Sequence, residues 1–308
     1  MMQPASLHVP ERRLCALLTC FNRRDTTLAC LAALERAAAL AGVPARAFVV
    51  DDGSRDGTAA AIRSRFGWAR VIEGGGDLYW ARGMHLAQEH AMLEAPGWLL
   101  WLNDDTHLDE DALARLLHAH DQLVQGLQQP LVLVGSTRDP RTGRRTYGGC
   151  RRAGGLRAVA VRDVEPGPSA QRIDTFDGNV VLVNAAAARQ LGNLDAGFEH
   201  AMADTDYGLR AGRLGIPVWL APGTHGVCST NPVHGTHQDP ALPAPVRWRL
   251  MVGRKGLPPR SWYRFTRRHG GFMWPLHFAW PYLRLGLELV RAAVGRKVRG
   301  LGRHVGEG

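Results

Sequence analysis

The first 135 residues alternate short apolar runs with amphipathic stretches, and several of those runs stop at a polar cluster. Residues 14–20, 45–50, 69–72, 98–102 and 131–135 are apolar segments of strand length. Between them, residues 26–40, 55–66, 78–93 and 109–123 carry helical spacing; Leu28, Leu31, Leu34 and Ala38, for instance, fall on one face. Strands alternating with helices predict an α/β fold, a mostly parallel sheet flanked by helices. Such sheets bind ligands beyond the carboxyl ends of their strands. Thr19–Arg23, Asp51–Ser54 and Asn103–Thr106 each follow an apolar run directly, so they are expected to converge on one crevice.

Beyond residue 135 the pattern changes. Residues 137–175 are rich in Arg, Gly and Pro and read as hairpins and loops. A strand over 178–183, helices over 185–190 and 204–213, and a late strand over 218–221 are predicted. From about Pro232 the chain turns basic and Trp-rich, which suggests a main domain over 1–232 and a helical extension over 233–308. The 308 residues are 45% hydrophobic, enough for a sizeable core.

Net charge is +10, and the excess lies late in the chain. After Asp206 the acidic residues are Asp239, Glu288 and Glu307, while Arg and Lys recur from Arg247 to Arg303. Residues 283–298 form a helical pattern with Leu287, Val290 and Val294 on one face and Arg284, Arg291 and Lys297 elsewhere. A helix of that kind suits an anionic membrane surface; a packed extension or an oligomer contact is the alternative. Nucleic acid is not an expected partner. The five cysteines include no C-x-x-C pair and outline neither a disulfide framework nor a zinc site. Met1–Arg13 lacks the apolar core of a signal peptide, and no uncharged apolar run is long enough to span a bilayer. The expected location is the cytoplasm, peripheral on the inner face of the membrane.

Two acidic clusters carry the candidate chemistry. Asp51-Asp52-Gly53-Ser54 places carboxylates at a strand end, where they can accept hydrogen bonds from a base or a ribose; a capped turn opening the next helix is the other reading. Asn103-Asp104-Asp105 crowds negative charge, which a hard divalent cation and a diphosphate would relieve; a solvated helix-capping loop fits equally well.

Taken in order, these elements resemble family-2 glycosyltransferases of the GT-A fold. The resemblance rests on Thr-Cys-Phe-Asn-Arg at 19–23, Asp-Asp-Gly-Ser at 51–54, Gly-Asp-Leu-Tyr-Trp-Ala-Arg-Gly-Met-His at 76–85, Asn-Asp-Asp at 103–105, and Ala-Asp-Thr-Asp-Tyr-Gly-Leu-Arg at 203–210. The Trp-Ala-Arg-Gly-Met stretch looks most like bacterial, rhamnosyltransferase-like members that build surface polysaccharides. The resemblance implies inverting transfer from a UDP- or dTDP-linked sugar to a glycan or lipid-linked acceptor, assisted by Mg2+ or Mn2+. It implies Asp204 as general base and Asp105 as metal ligand, with His225 as a second ligand and His234 and His237 as its competitors; for each histidine a loop residue without metal is the alternative. It implies Asp52, Thr19, Phe21 and Arg23 around the nucleobase, Asp104 at the ribose or sugar, Trp80 at the substrate, and Asp206 and Arg210 in support of the base loop. The sequence departs from the pattern at Asn103 and Ala203, where acidic residues are usual, and at Asp77 and His85, where Asn is common.

Rival classes fit less well. A sugar-phosphate nucleotidyltransferase needs a Gly-rich basic loop after the first strand, and a Rossmann dehydrogenase needs G-x-G-x-x-G; the first run leads instead into Thr-Cys-Phe-Asn-Arg-Arg. A non-catalytic polyanion-binding module leaves the strand-end carboxylates without a task.

Overall fold

The computed structural model describes residues 13–304, with side chains to residue 290. The signal-peptide expectation for residues 1–12, and those for the side chains of Arg291, Val294 and Lys297, lie outside the described residues. The chain forms two compact units: residues 13–151, 161–199 and 203–230, and residues 152–160, 200–202 and 231–304.

The first unit begins with β1 (Leu14–Cys20), α1 (Arg24–Leu40), β2 (Ala45–Asp51), α2 (Thr58–Arg65), β3 (Ala69–Glu73), α3 (Tyr79–Met92) and β4 (Trp98–Leu102). These four strands are parallel neighbours in the order β3-β2-β1-β4. β1 and β4 are apolar at nearly every position because helices cover both faces of the sheet. α1 buries Cys30, Leu31, Leu34, Ala37 and Ala38 against it, the face that the spacing predicts. The chain continues through β5 (His107–Leu108), α4 (Ala112–Leu127) and β6 (Val132–Arg138).

Next come β7 (Gly149–Arg152), β8 (Val161–Asp163), β9 (Gln171–Ile173), β10 (Thr175–Phe176), β11 (Val180–Asn184), α5 (Ala185–Leu191), α6 (Ala203–Arg213) and β12 (Val218–Val227). β11 inserts antiparallel between β4 and β6, so the sheet continues β4-β11-β6-β12-β5. β6 and β12 are again parallel, which makes the sheet mostly parallel, with β11 reversed inside it and the short β5 and β9 antiparallel to β12 at its edge. A buried apolar run such as Val-Val-Leu-Val carries no mark of its direction, and sequence spacing could not reveal this reversal. β7, β8 and β10 pair in a separate small sheet. β12 runs six residues beyond the predicted end at Ala221, with register shifts between Leu220 and Thr224 and between Thr224 and Val227.

The second unit is helical: α7 (Ala244–Val252), α8 (Pro259–His269) and α9 (Trp274–His304). Its aromatic residues tie these helices together. Trp262 stacks on Phe265 and its Nε1 donates to the Phe278 carbonyl, while the Tyr282 hydroxyl donates to the Leu257 carbonyl. Arg247 on α7 pairs with Glu288 on α9 at 2.6 Å. The outward side of α9 is apolar. Leu276, Trp280, Leu283, Leu287 and Val290 recur every three or four residues and stand 58–64% exposed. Among the described residues no helix is long and apolar enough to cross a membrane.

Candidate active site

The carboxyl ends of β1, β2 and β4 bring the predicted clusters together. The loops after β1 and β2 are laced by side chains: the Asn22 amide donates to Ser54 Oγ at 2.8 Å, and the Arg55 amide donates to Asn22 Oδ1 at 2.7 Å. Phe21 stands exposed beside them, an open aromatic face. Asp52 is buried, and each of its oxygens accepts a backbone amide, from Gly76 at 2.8 Å and from Tyr79 at 2.9 Å. It therefore fixes the turn that launches α3 and retains lone pairs for one further donor. Gly53 must be glycine here: its φ is +82°, and a Cβ would lie 3.2 Å from the Gly76 backbone. Thr19 packs under α3 at Gly83.

Arg23 spans the second cluster. Its Nη1 donates to Asp104 Oδ1 at 2.8 Å and its Nη2 to Asp105 Oδ2 at 2.9 Å. Burial pushes the Asp104 carboxyl up to about 6 against the pull of Arg23. Asn103, where an acid is usual, has its Oδ1 taken by the Trp80 indole N–H at 2.7 Å. A carboxylate is not needed to hold that contact. Among the described residues the Asp105 Oδ1 meets only the Cys228 thiol, at 3.6 Å. Oxygen donors at a strand end, one of them without a strong donor, fit a hard divalent cation such as Mg2+ or Mn2+.

Asp204 lies in the first turn of α6. Its Oδ2 accepts the Gly178 amide at 3.0 Å and its Oδ1 the Thr205 amide at 2.8 Å. Burial raises its carboxyl above the usual range. Trp80 connects this end to the other: its ring lies against Gly178, where a Cβ would come within 2.6 Å of it, and its N–H holds Asn103. Trp80 also meets Trp101 edge-on at 6.2 Å. Arg23, Asp104, Asp105, Asn103, Trp80, Gly178 and Asp204 thus form one continuous chain of contacts. Ala203, beside the base, is completely buried, so a carboxylate in its place would have to be taken out of water.

Two of the expected residues support the site from behind, and a third, His225, lies apart from the acidic cluster. Asp206 is fully buried and pairs with Arg210 Nε at 2.9 Å, while the Arg210 Nη groups donate to the Leu191 and Asn193 carbonyls. In place of a substrate contact, the two brace the loop between α5 and α6. His225 is 1% exposed, and its ring sits against Gly135. Burial and then Arg115 pull its pKa down to about 4, and its neighbouring charges are Arg115, Asp109 and Asp111 rather than Asp105. The residue that reaches Asp105 is Cys228, directly after β12, whose thiol burial and then Asp105 push up to about 12. Sequence reasoning missed Cys228, Asn179, which donates to its sulfur, and Asp177, which adjoins Asp204. A cluster of polar residues directly before the β11 run was the available signal.

Residues 15–162 match the model for Glycosyl transferase family 2. Over those residues the chain resembles that family, and the protein is a glycosyltransferase. This glycosyltransferase is 26% identical over 275 residues to N-acetylglucosaminyl-diphospho-decaprenol L-rhamnosyltransferase of Mycobacterium tuberculosis, covering 73% of this chain and 87% of the relative. Its fold matches Staphylococcus aureus TarS 1–349 in complex with UDP, with a TM-score of 0.51, 10% identity, and coverage of 83% of this chain and 70% of that one. It also matches the mannosyltransferase PcManGT from Pyrobaculum calidifontis in complex with GDP-Man and Mn2+, with a TM-score of 0.51, 15% identity, and coverage of 96% and 80%. At those identities the structural likeness is one of fold, and it places the mostly parallel sheet in the GT-A class.

Proposed function

We propose that this glycosyltransferase inverts the anomeric carbon as it moves a sugar from a UDP- or dTDP-linked donor to a hydroxyl of a glycan or lipid-linked acceptor in cell-surface polysaccharide synthesis. The observation that carries the reading is the contact chain from Asp105 through Asn103, Trp80 and Gly178 to Asp204, which joins a charge-binding end to a base. Asp204, raised by burial, takes the proton of the attacking hydroxyl. Phe21 offers its exposed face to the nucleobase, with Asp52 holding the adjoining turn. Asp105, with Asp104 beside it, would hold Mg2+ or Mn2+, which supplies positive charge to the leaving diphosphate. Arg23 adds a fixed cation at the same end.

Residues 1–232 are assigned to donor binding and transfer, and residues 233–308 to a peripheral contact with anionic membrane on its cytoplasmic face. Support for the latter is the exposed apolar side of α9 on a helix with Arg284 and few acids. The test is a screen of UDP-, dTDP- and GDP-sugars for thermal shift and hydrolysis, with and without Mn2+. One UDP- or dTDP-sugar should bind; Asp105→Ala should weaken that binding, and Asp204→Asn should keep binding but lose turnover. Absence of binding to every donor would overturn the reading.

A further inference from the structure

Cys228 belongs to none of the motifs that pointed to the site, yet several strands hold its sulfur at the acidic end. β5 and the end of β12 pair antiparallel, Leu108 with Gly226 and His107 with Val227. That pairing carries the next residue, Cys228, alongside the turn that follows β4, and its amide is fixed to the Arg138 carbonyl at 3.0 Å. Its thiol then lies 3.6 Å from Asp105 Oδ1. Asn179, directly before β11, donates its side-chain N–H to the sulfur at 3.5 Å. Cys228 and Asn179 are both buried.

The acidic end leaves one carboxylate oxygen for a cation. Arg23 takes Asp104 Oδ1 and Asp105 Oδ2, and the Thr27 hydroxyl reaches Asp104 Oδ2 at 3.5 Å. Asp105 Oδ1 remains, with the Cys228 sulfur beside it. Two ligands of one tetrahedral cation, at about 2.1 Å for oxygen and about 2.3 Å for sulfur, stand about 3.6 Å apart. That is the separation found here. The surroundings also suit a charged sulfur. The Thr106 hydroxyl is wholly buried and faces Cys228, yet it has no partner of hydrogen-bond geometry among the described residues. A sulfur that gives up its proton to a metal becomes a strong acceptor for that hydroxyl and for the Asn179 N–H. Cys150, Asp163 and Asp177 also bring ligand atoms within 4.8 Å of one another. There Arg145 already supplies the cation: its nearly buried side chain pairs with Asp163 at 3.1 Å and approaches Asp177 at 4.0 Å.

We propose that Cys228 is a second protein ligand of the cation at Asp105, and that its sulfur makes the site prefer a sulfur-accepting divalent ion, such as Co2+ or Zn2+, to Mg2+. This rests on the reading of Asp105 as a cation ligand. As the metal–sulfur bond forms, the S–H bond breaks and its proton leaves to water; no oxidant or reductant takes part. Asp105 supplies a hard oxygen and Cys228 a soft sulfur, and diphosphate oxygens and water complete the shell. Mg2+, which takes oxygen ligands, gains nothing from the sulfur. Cys228 thereby determines which cation the site selects, while Asp105 determines that a cation binds there at all.

Co2+ is the probe, because a thiolate bound to it gives an intense charge-transfer band in the near ultraviolet. Metal-free, full-length protein titrated with Co2+ in the presence of UDP should develop that band. The band should be absent in Cys228→Ser and in Asp105→Asn, and unchanged in Cys150→Ser. Calorimetric titration should find Co2+ binding weakened about tenfold in Cys228→Ser, with Mg2+ binding changed by less than about twofold. Serine keeps the shape of the side chain, and the wild-type spectrum is informative without any variant. Co2+ bound to the wild-type protein without the band would overturn the proposal, as would a band that survives in Cys228→Ser. Protein that binds neither Co2+ nor Mg2+, with or without UDP, fails at an earlier step: the cation reading of Asp105 falls, and the sulfur ligand with it.

Discussion

The indole N–H of Trp80 donates to the Asn103 side-chain oxygen at 2.7 Å while the same ring covers Gly178, the glycine whose amide holds Asp204. One side chain from the first turn of α3 thereby fixes the spacing between the acidic end of β4 and the base on α6. In this chain Asn at 103 is thus the partner that Trp80 requires, and Gly at 178 is the surface on which the ring rests.

Trp80→Phe keeps the ring and removes the donor. The Asn103 oxygen then loses its partner in a half-buried setting, a cost of about 1–2 kcal/mol. The expected outcome is a kcat reduced by about tenfold with only a small drop in Tm, because the spacing between charge site and base is no longer held. Steady-state kinetics alongside a thermal melt would check it; a fully active variant would remove Trp80 from the assembly.

The Asp104 carboxyl, near 6, lies above the 3.8 of a free aspartate. The native state holds this proton to higher pH than the unfolded chain does, so Asp104 lowers stability progressively as pH rises from about 4 through 6. In metal-free protein Asp104→Asn is expected to raise Tm at neutral pH, with the difference vanishing near pH 4, as read by scanning calorimetry. A cation at Asp105 favours the ionised cluster, so the Tm increment produced by Mn2+ should grow across the same window.

The Asp206–Arg210 pair has a structural signature. Arg210→Ala leaves a fully buried carboxylate without its cation and frees the Leu191 and Asn193 carbonyls. A loss of about 3 kcal/mol is expected in urea denaturation. Donor affinity of the fraction that remains folded should be unchanged; a specific loss of affinity at full stability would return Arg210 to the substrate.

The outward side of α9 bears on the membrane contact. Replacing Leu283 and Leu287 by Glu puts charge into the exposed stripe without touching the buried Leu285. Wild-type protein should sediment with anionic vesicles in a salt-sensitive manner, and the double variant should remain in solution. Equal binding of both proteins to the vesicles would exclude this face.

The amino-acid sequence determined the order of strands and helices through residue 138, the two-residue β5 excepted, because the spacing of apolar residues is a local property of each segment. It also located Arg23, Asp52, Asp104 and Asp105, since polar clusters at strand ends must meet at the carboxyl edge of a parallel sheet, while Asp204, on α6, was indicated by the family resemblance alone. What the tertiary structure alone decided were pairings between residues far apart in the chain. The reversal of β11 brings Asp177 and Gly178 to Asp204, and no local pattern encodes the direction of a buried strand. Which residue near the end of β12 meets Asp105, Cys228 and not His225, is likewise a long-range pairing that no local pattern reveals. For Asp206 and Arg210, one helical turn apart, the resemblance implied support of the base loop; which carbonyls they brace, those of Leu191 and Asn193, only the fold shows.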